Sequence, residues 1–251
     1  MILYFAGAEP DRYKHLLKQA GVKNILLSFF YHNDNKGDKM ATALEMFDNV
    51  FLDSGGFTAR NKGAEIKISD YKDYLLKVKN KEKFHYANLD LKTYEETIDN
   101  QRYLEKHGLK PIPVYHFSEY NSKNREVLLD YIKKYDYIAV GGVVGAKLNS
   151  IQKVNYLNYV FKHTRDKIKI HGFGITDIKL LKQYPFYSVD STSWQARMRF
   201  GLSKVQPNHR IRIAENKTFH YLDNVKKEIK YWLDLEKNIT ALWAKKGIIW
   251  K

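Results

Sequence analysis

The chain has 251 residues, 44% of them hydrophobic, which is ample for a substantial core and argues against disorder. Its 43 lysines and arginines against 28 acids give a formal charge of +15, which points to a polyanionic partner, most often nucleic acid. No apolar run approaches the ~20 residues needed to span a bilayer, the start MILYFAGAEPDRY does not read as a signal peptide, and with no cysteine there is neither disulfide nor zinc–thiolate site.

Strand-like runs alternate with helical stretches along the whole sequence. Residues 2–6 form the first run, and a helix is predicted over 11–20, stopped by Gly21. Residues 24–29 form the second run, 42–47 look helical, and 50–52 form the third. Helical spacing over 71–79 leads to a fourth run at 85–89, and a helix over 93–107 is closed by Gly108. The fifth run, 111–116, precedes a helix over 123–134; the sixth, 137–140, precedes one over 150–164. Residues 167–171 and 186–189 supply the seventh and eighth runs, with a short helix at 177–183 between them. Residues 224–246 read as a final amphipathic helix with Val225, Ile229, Trp232, Leu233 and Leu242 as its buried stripe.

Strands that alternate with helices imply parallel pairing, and eight such units predict a closed (β/α)8 barrel of the TIM type. A doubly wound open sheet is the alternative. The expected organisation is a barrel domain over 1–215 and a C-terminal helical extension over 216–251 packed on it. In such barrels the chemistry sits at the C-terminal ends of the strands. The polar residues that interrupt the runs fall there: Asp53, Asp90, His116, Gly141-Gly142, His171-Gly172 and Asp190.

The stretch NVFLDSGGFTAR, residues 49–60, concentrates that signal. A buried strand stops at Asp53-Ser54, and Gly55-Gly56 lets the backbone turn tightly or approach a ligand closely. The plainer reading is turn chemistry, with Asp53 capping the turn. Asp190, followed by STSW, is open to a similar choice between helix N-cap and carboxylate nucleophile. With Asp53 it would form a carboxylate pair across one pocket, an arrangement suited to chemistry at a glycosidic carbon.

FLDSGGF at 51–57 resembles the DSGGF motif of the tRNA-guanine transglycosylases. VGGVVG at 140–145 and HGFGIT at 171–176 are similar to that family's later glycine loops, and Val189-Asp190 falls at the place of its nucleophilic aspartate. Order and rough spacing agree from about residue 50 to 195. The family's tRNA enzymes carry a zinc subdomain built on cysteines, which this shorter chain lacks, and STSW replaces their Pro-Thr-Arg continuation. The resemblance therefore leans toward the divergent relatives, encoded by phages and bacterial genomic islands, that place 7-deazaguanine bases in DNA.

The resemblance implies that Asp190 attacks the anomeric carbon and displaces guanine, leaving a covalent sugar–enzyme intermediate. A 7-deazaguanine then attacks, with Asp53 as general base. Substrate-binding places fall on Ser54, Gly55, Gly56, Phe57, Asp90, His116, Gly141, Gly142, His171 and Gly172. Asp90 would accept the purine's donor edge, backbone amides would hold its carbonyl, and Phe57 or Tyr115 would stack on it. No metal or other cofactor is implied, and a cytoplasmic location is expected. DNA, whose target base must leave the stack, is the expected polymer. Its phosphates would meet the acid-free segment 197–212 through Arg197, Arg199, Lys204, Arg210 and Arg212. The rivals are base exchange in tRNA, a non-catalytic nucleic-acid-binding barrel, and an unrelated barrel holding phosphate on its glycine loops.

Overall fold

The computed structural model describes residues 1–32, 38–79, 81–91, 93–143, 148–164, 167–196 and 218–250. Its centre is an eight-stranded parallel sheet. The strands are β1 (Ile2–Ala6), β2 (Asn24–Ser28), β3 (Asn49–Asp53), β4 (Phe84–Tyr86), β5 (Val114–His116), β6 (Tyr137–Gly141), β7 (Lys169–Gly172) and β8 (Ser188–Ser191). Their order is β4-β3-β2-β1-β8-β7-β6-β5, so sequential strands are neighbours and β1 meets β8. The ends of the sheet join where Ala87 bridges Ile112 in parallel, with Asn88 N donating to Ile112 O at 2.9 Å and Ile112 N to Tyr86 O at 2.8 Å. This is the curled, helix-wrapped arrangement of a (β/α)8 barrel.

The register is set by which side chains face inward. Tyr4, Leu26, Phe51, Ala87, Val114 and Ala139 share one buried cluster inside the barrel. Their strand neighbours Leu3, Phe5, Ile25, Leu27, Val50 and Leu52 belong to a second cluster between sheet and helices. A strand's side chains alternate with period two, so these inward positions carry forward to Ser28, Asp53, His116 and Asp190 at the strand ends. A slip by one residue would turn all of them into the outer layer.

Around the sheet lie α1 (Asp11–Gln19), α3 (Asp38–Met46), α5 (Ile68–Lys77), α6 (Tyr94–Lys106), α8 (Val127–Lys134), α9 (Ser150–Thr164) and α10 (Ile178–Gln183). Thr93 caps α6 by accepting from Glu96 N at 3.2 Å while Glu96 Oε2 accepts from Thr93 N at the same distance. Three short helices, α2 (Phe29–His32), α4 (Gly56–Asn61) and α7 (Phe117–Tyr120), follow β2, β3 and β5 and are too brief to show a period. β4 and β5 fall furthest short of the predicted runs. Pro111 and Pro113 have no N–H to give a ladder, so β5 begins only at Val114. Beyond Tyr86 the β4 chain pairs through the single Ala87 bridge.

The last helix, α11 (Thr218–Lys245), packs against β1, α10 and the 3-10 turn after β8, the position of the barrel's eighth helix. Glu236 accepts from Leu3 N at 2.9 Å, and Trp243 Nε1 donates to Leu181 O at 2.9 Å. Its buried stripe runs Val225, Ile229, Trp232, Leu235, Ile239 and Trp243. Leu233 and Leu242 flank that stripe half-buried, because Trp232, Leu235, Ile239 and Trp243 take the inward face. None of the described helices is long and apolar enough to cross a membrane.

Trp232 is 1% exposed in this seam. Trp232→Ala should lower the unfolding free energy by about 3–5 kcal/mol, read from urea titration with an unchanged slope.

Candidate active site

β3 ends on Asp53, and Gly55 follows with φ +77°, a left-handed conformation that strains any side-chain-bearing residue. A Cβ there would also lie 2.6 Å from Phe30 Cβ and 2.7 Å from Ser28 Oγ. The turn lets Gly55 N donate to Asp53 Oδ2 at 3.1 Å. Asp53 thus does cap its turn, but with one oxygen. Burial raises its carboxyl first, and the nearby charges of Asp90 and Asp190 add to this, bringing it to about 7. A carboxyl poised at neutrality can give or take a proton.

Asp90, in the loop after β4, lies in the opposite electrostatic state. Its Oδ1 accepts from Ser54 Oγ at 3.1 Å, and its Oδ2 lies 2.8 Å from His116 Nε2. Burial alone would raise this carboxyl, but the hydrogen bonds from His116 and Ser54 outweigh it and the net shift is downward. Burial likewise opposes the charge of His116, yet Asp90 and Glu119 lift the imidazole to about 10. Glu119 accepts from His116 N at 2.6 Å and lies 3.6 Å from Nδ1, and its own carboxyl is held below the usual range against the effect of burial. His116 is therefore an imidazolium with an acid at each ring nitrogen. Glu119 escaped the sequence reading; its only signal was the His-x-x-Glu spacing at the start of α7.

Asp190 lies in β8 and accepts from Gly174 N of the β7 loop at 2.7 Å through Oδ1. It does not cap the turn after it; Ser191 Oγ takes that role by accepting from Ser193 N at 2.9 Å. His171 Nε2 lies 3.4 Å from the same Oδ1. Three carboxylates on β3, the β4 loop and β8 therefore point into one mouth.

The remaining expected site residues divide. Ser54 and Gly56 serve the β4 loop: a Cβ on Gly56 would stand 2.6 Å from Asp90 O. Phe57, on the first turn of α4, is 58% exposed at the lip. A Cβ on Gly141 would stand 2.6 Å from the His116 ring, so this glycine makes room for the imidazolium, while Gly142 with φ +74° abuts Phe117. Gly172 faces Ile175 and Phe186 in the outer layer, away from the mouth. His171 is fully buried beneath Asp190, stacked on Phe51 with ring centroids 4.5 Å apart. Tyr115 is core, its hydroxyl donating to Arg125 O at 2.9 Å. Arg197, Arg199, Lys204, Arg210 and Arg212 lie outside the described residues.

Among the described residues no group of three or more acidic or histidine side chains converges as a metal ion requires. A cavity of about 480 Å³ opens at the other end of the barrel, lined by residues that include His85, Lys110, Tyr137 and Lys169. The facing carboxylates lie at the C-terminal mouth, where barrel enzymes do their chemistry, and the site is assigned there. No protein-family model matches the chain, and no curated protein matches its sequence.

Two outcomes test this electrostatic arrangement. Because the folded Asp53 titrates at about 7, its stability contribution is present at acid pH and lost as pH rises through 7. Asp53→Asn, neutral throughout, should therefore lose less thermal stability than the wild type between pH 5 and pH 8 in melting curves. His116→Asn removes the imidazolium from between two buried acids and should cost about 3–5 kcal/mol at neutral pH. That loss should shrink in mild acid, where the acids it leaves uncompensated can protonate.

Proposed function

We propose that the protein is a DNA-guanine transglycosylase that exchanges guanine for a 7-deazaguanine base through a covalent aspartyl–sugar intermediate. The observation that carries this reading is the pair of unlike carboxylates facing one mouth, Asp53 raised to about 7 and Asp190 with one oxygen held by the Gly174 amide. It is joined by the sequence resemblance of residues 50–195 and by the formal charge of +15.

In this mechanism Asp190 attacks C1′ of the target nucleotide. The new C–O bond replaces the C1′–N bond, and the departing base takes its proton from the neutral form of Asp53. The incoming 7-deazaguanine then attacks C1′ through its ring nitrogen. Its proton passes to the Asp53 carboxylate, the ester breaks, and Asp190 recovers its charge. A carboxyl near 7 populates both forms at neutral pH, so one residue serves both half-reactions. Asp90, ionised by His116 and Ser54, has acceptor capacity for the adjacent N–H groups of a guanine edge. Phe57 at the lip offers a ring to a base that has left the stack. The chemistry is confined to the protein's own acids, and it takes place where the polymer is, in the cytoplasm.

The test is single-turnover incubation with guanine-labelled DNA, and in parallel tRNA, plus a 7-deazaguanine. Label should leave DNA, with a covalent adduct that is absent in Asp190→Ala while polymer binding persists. Release from tRNA alone would move the substrate to that polymer, and indifference of turnover to Asp190→Ala would overturn the mechanism. The pH profile of kcat/KM should carry an ionisation near 7 that disappears, together with about 10²–10⁴ of the rate, in Asp53→Asn.

A further inference from the structure

Beneath Asp190 a row of side chains crosses the barrel that base exchange, as written above, leaves without a task. Tyr137 Oη on β6 lies 2.6 Å from Ser188 Oγ on β8. Ser188 Oγ lies 2.7 Å from His171 Nδ1 on β7, and His171 Nε2 lies 3.4 Å from Asp190 Oδ1 back on β8. His171 and Ser188 are 0% exposed, and Asp190 is 8% exposed. The imidazole cannot swing freely, because Phe51 is stacked on one side at 4.5 Å and Phe173 meets it edge-on at 4.7 Å.

The direction of the hydrogen bonds follows from where each proton can go. Burial holds the Tyr137 phenol far above its usual range, so the hydroxyl keeps its hydrogen. The partner that the described residues give this hydroxyl is Ser188 Oγ, so the Tyr137 hydrogen finds its acceptor there. The Ser188 hydrogen is then free to point at His171 Nδ1. An imidazole that accepts at Nδ1 in its neutral form carries its hydrogen on Nε2. That nitrogen is shielded from solvent and, among the described residues, makes no aligned hydrogen bond. A buried N–H without an acceptor is costly, and Asp190 Oδ1 lies 3.4 Å from it, off the hydrogen-bond line. Contacts of this kind are often long in ligand-free sites and tighten when charge develops.

We propose that His171 is a positioning residue for Asp190, an inference that rests on the base-exchange reading for its catalytic consequence. Its Nε2–H, set in that tautomer by Tyr137 and Ser188, joins the Gly174 amide on Oδ1. Among the described residues no donor is assigned to Oδ2, so Oδ2 is the oxygen that forms and later breaks the bond to C1′. Two donors on Oδ1 hold the carboxylate's rotation and stabilise the charge that returns to it when the ester breaks. The proton inventory does not change, because His171 transfers no proton.

The geometry is tested without reference to activity by nitrogen-15 NMR of histidine-labelled protein. The wild type should show His171 as the neutral Nε2–H tautomer, Ser188→Ala should shift it toward a tautomer mixture, and Asp190→Asn should move the Nε2 resonance. An Nδ1–H form in the wild type, or an Nε2 resonance blind to Asp190→Asn, overturns the proposal whether or not the protein exchanges bases.

The consequence is tested by adduct formation. His171→Leu should lower kcat about 10–100-fold, the span of one hydrogen bond to a charged group, with KM for the polymer unchanged. His171→Gln, whose amide nitrogen reaches the place of Nε2, should recover most of the loss. Equal loss in both variants, or an effect on KM alone, would mean that the ring only fills space. If the wild type forms no adduct at all, the base-exchange reading fails, and the NMR arms alone decide whether His171 holds Asp190.

Discussion

The His116 imidazolium, with Asp90 at one ring nitrogen and Glu119 at the other, is the interaction on which the rest of the mouth depends. Burial penalises the charge of Asp53, Asp90 and Glu119, and the charges of Asp90 and Asp190 further disfavour a charge on Asp53. One internal cation keeps Asp90 and Glu119 ionised. The charge so retained on Asp90 in turn helps hold Asp53 near neutrality. Among the described residues the acids are therefore differentiated by their partners: Asp90 has an imidazolium and a hydroxyl, Asp190 a backbone amide with the His171 ring below it, and Asp53 the amide of its own turn. Carboxyl groups in unlike environments are what acid–base chemistry at a single carbon requires.

The barrel supplies the geometry for this at low cost. Period-two alternation along β3, β5 and β8 places Asp53, His116 and Asp190 inward at one end, above an interior filled by Tyr4, Phe51 and Tyr137. Parallel pairing brings all those ends to the same face. The small residues are placed to suit: Gly141 leaves the volume that the His116 ring occupies, and Gly56 lets the β4 loop pass close enough for Asp90 to reach Ser54. A side chain at either position would push on a ring or a backbone oxygen with little room to yield.

Much of this was legible in the sequence. Eight apolar runs bounded by polar or glycine residues implied the barrel, and the rule that chemistry sits at strand ends selected Asp53, Asp90, His116 and Asp190 without any contact information. Less visible were the elements whose signal is short or shared. The three one-turn helices α2, α4 and α7 have no room for a period, and proline delayed the start of β5. Glu119 carried no signal beyond its spacing from His116, yet it closes the clamp on His116. His171 and Gly172 sat in a glycine-rich stretch that suggested ligand contact; one is enclosed beneath the nucleophile candidate and the other faces the helices.

The sequence by itself determined the alternation of strands and helices, the set of acids at the strand ends and the surplus of positive charge, because these depend on residue type and local period alone. Only the tertiary structure decided which acid is ionised, which hydrogen bonds each oxygen accepts and which glycine spares room for which neighbour. Those properties arise between residues far apart in the chain, such as Asp90 with His116 and Asp190 with His171. Charge state in a buried site is set by the partners within a few ångströms, and no local pattern in the sequence encodes who those partners are.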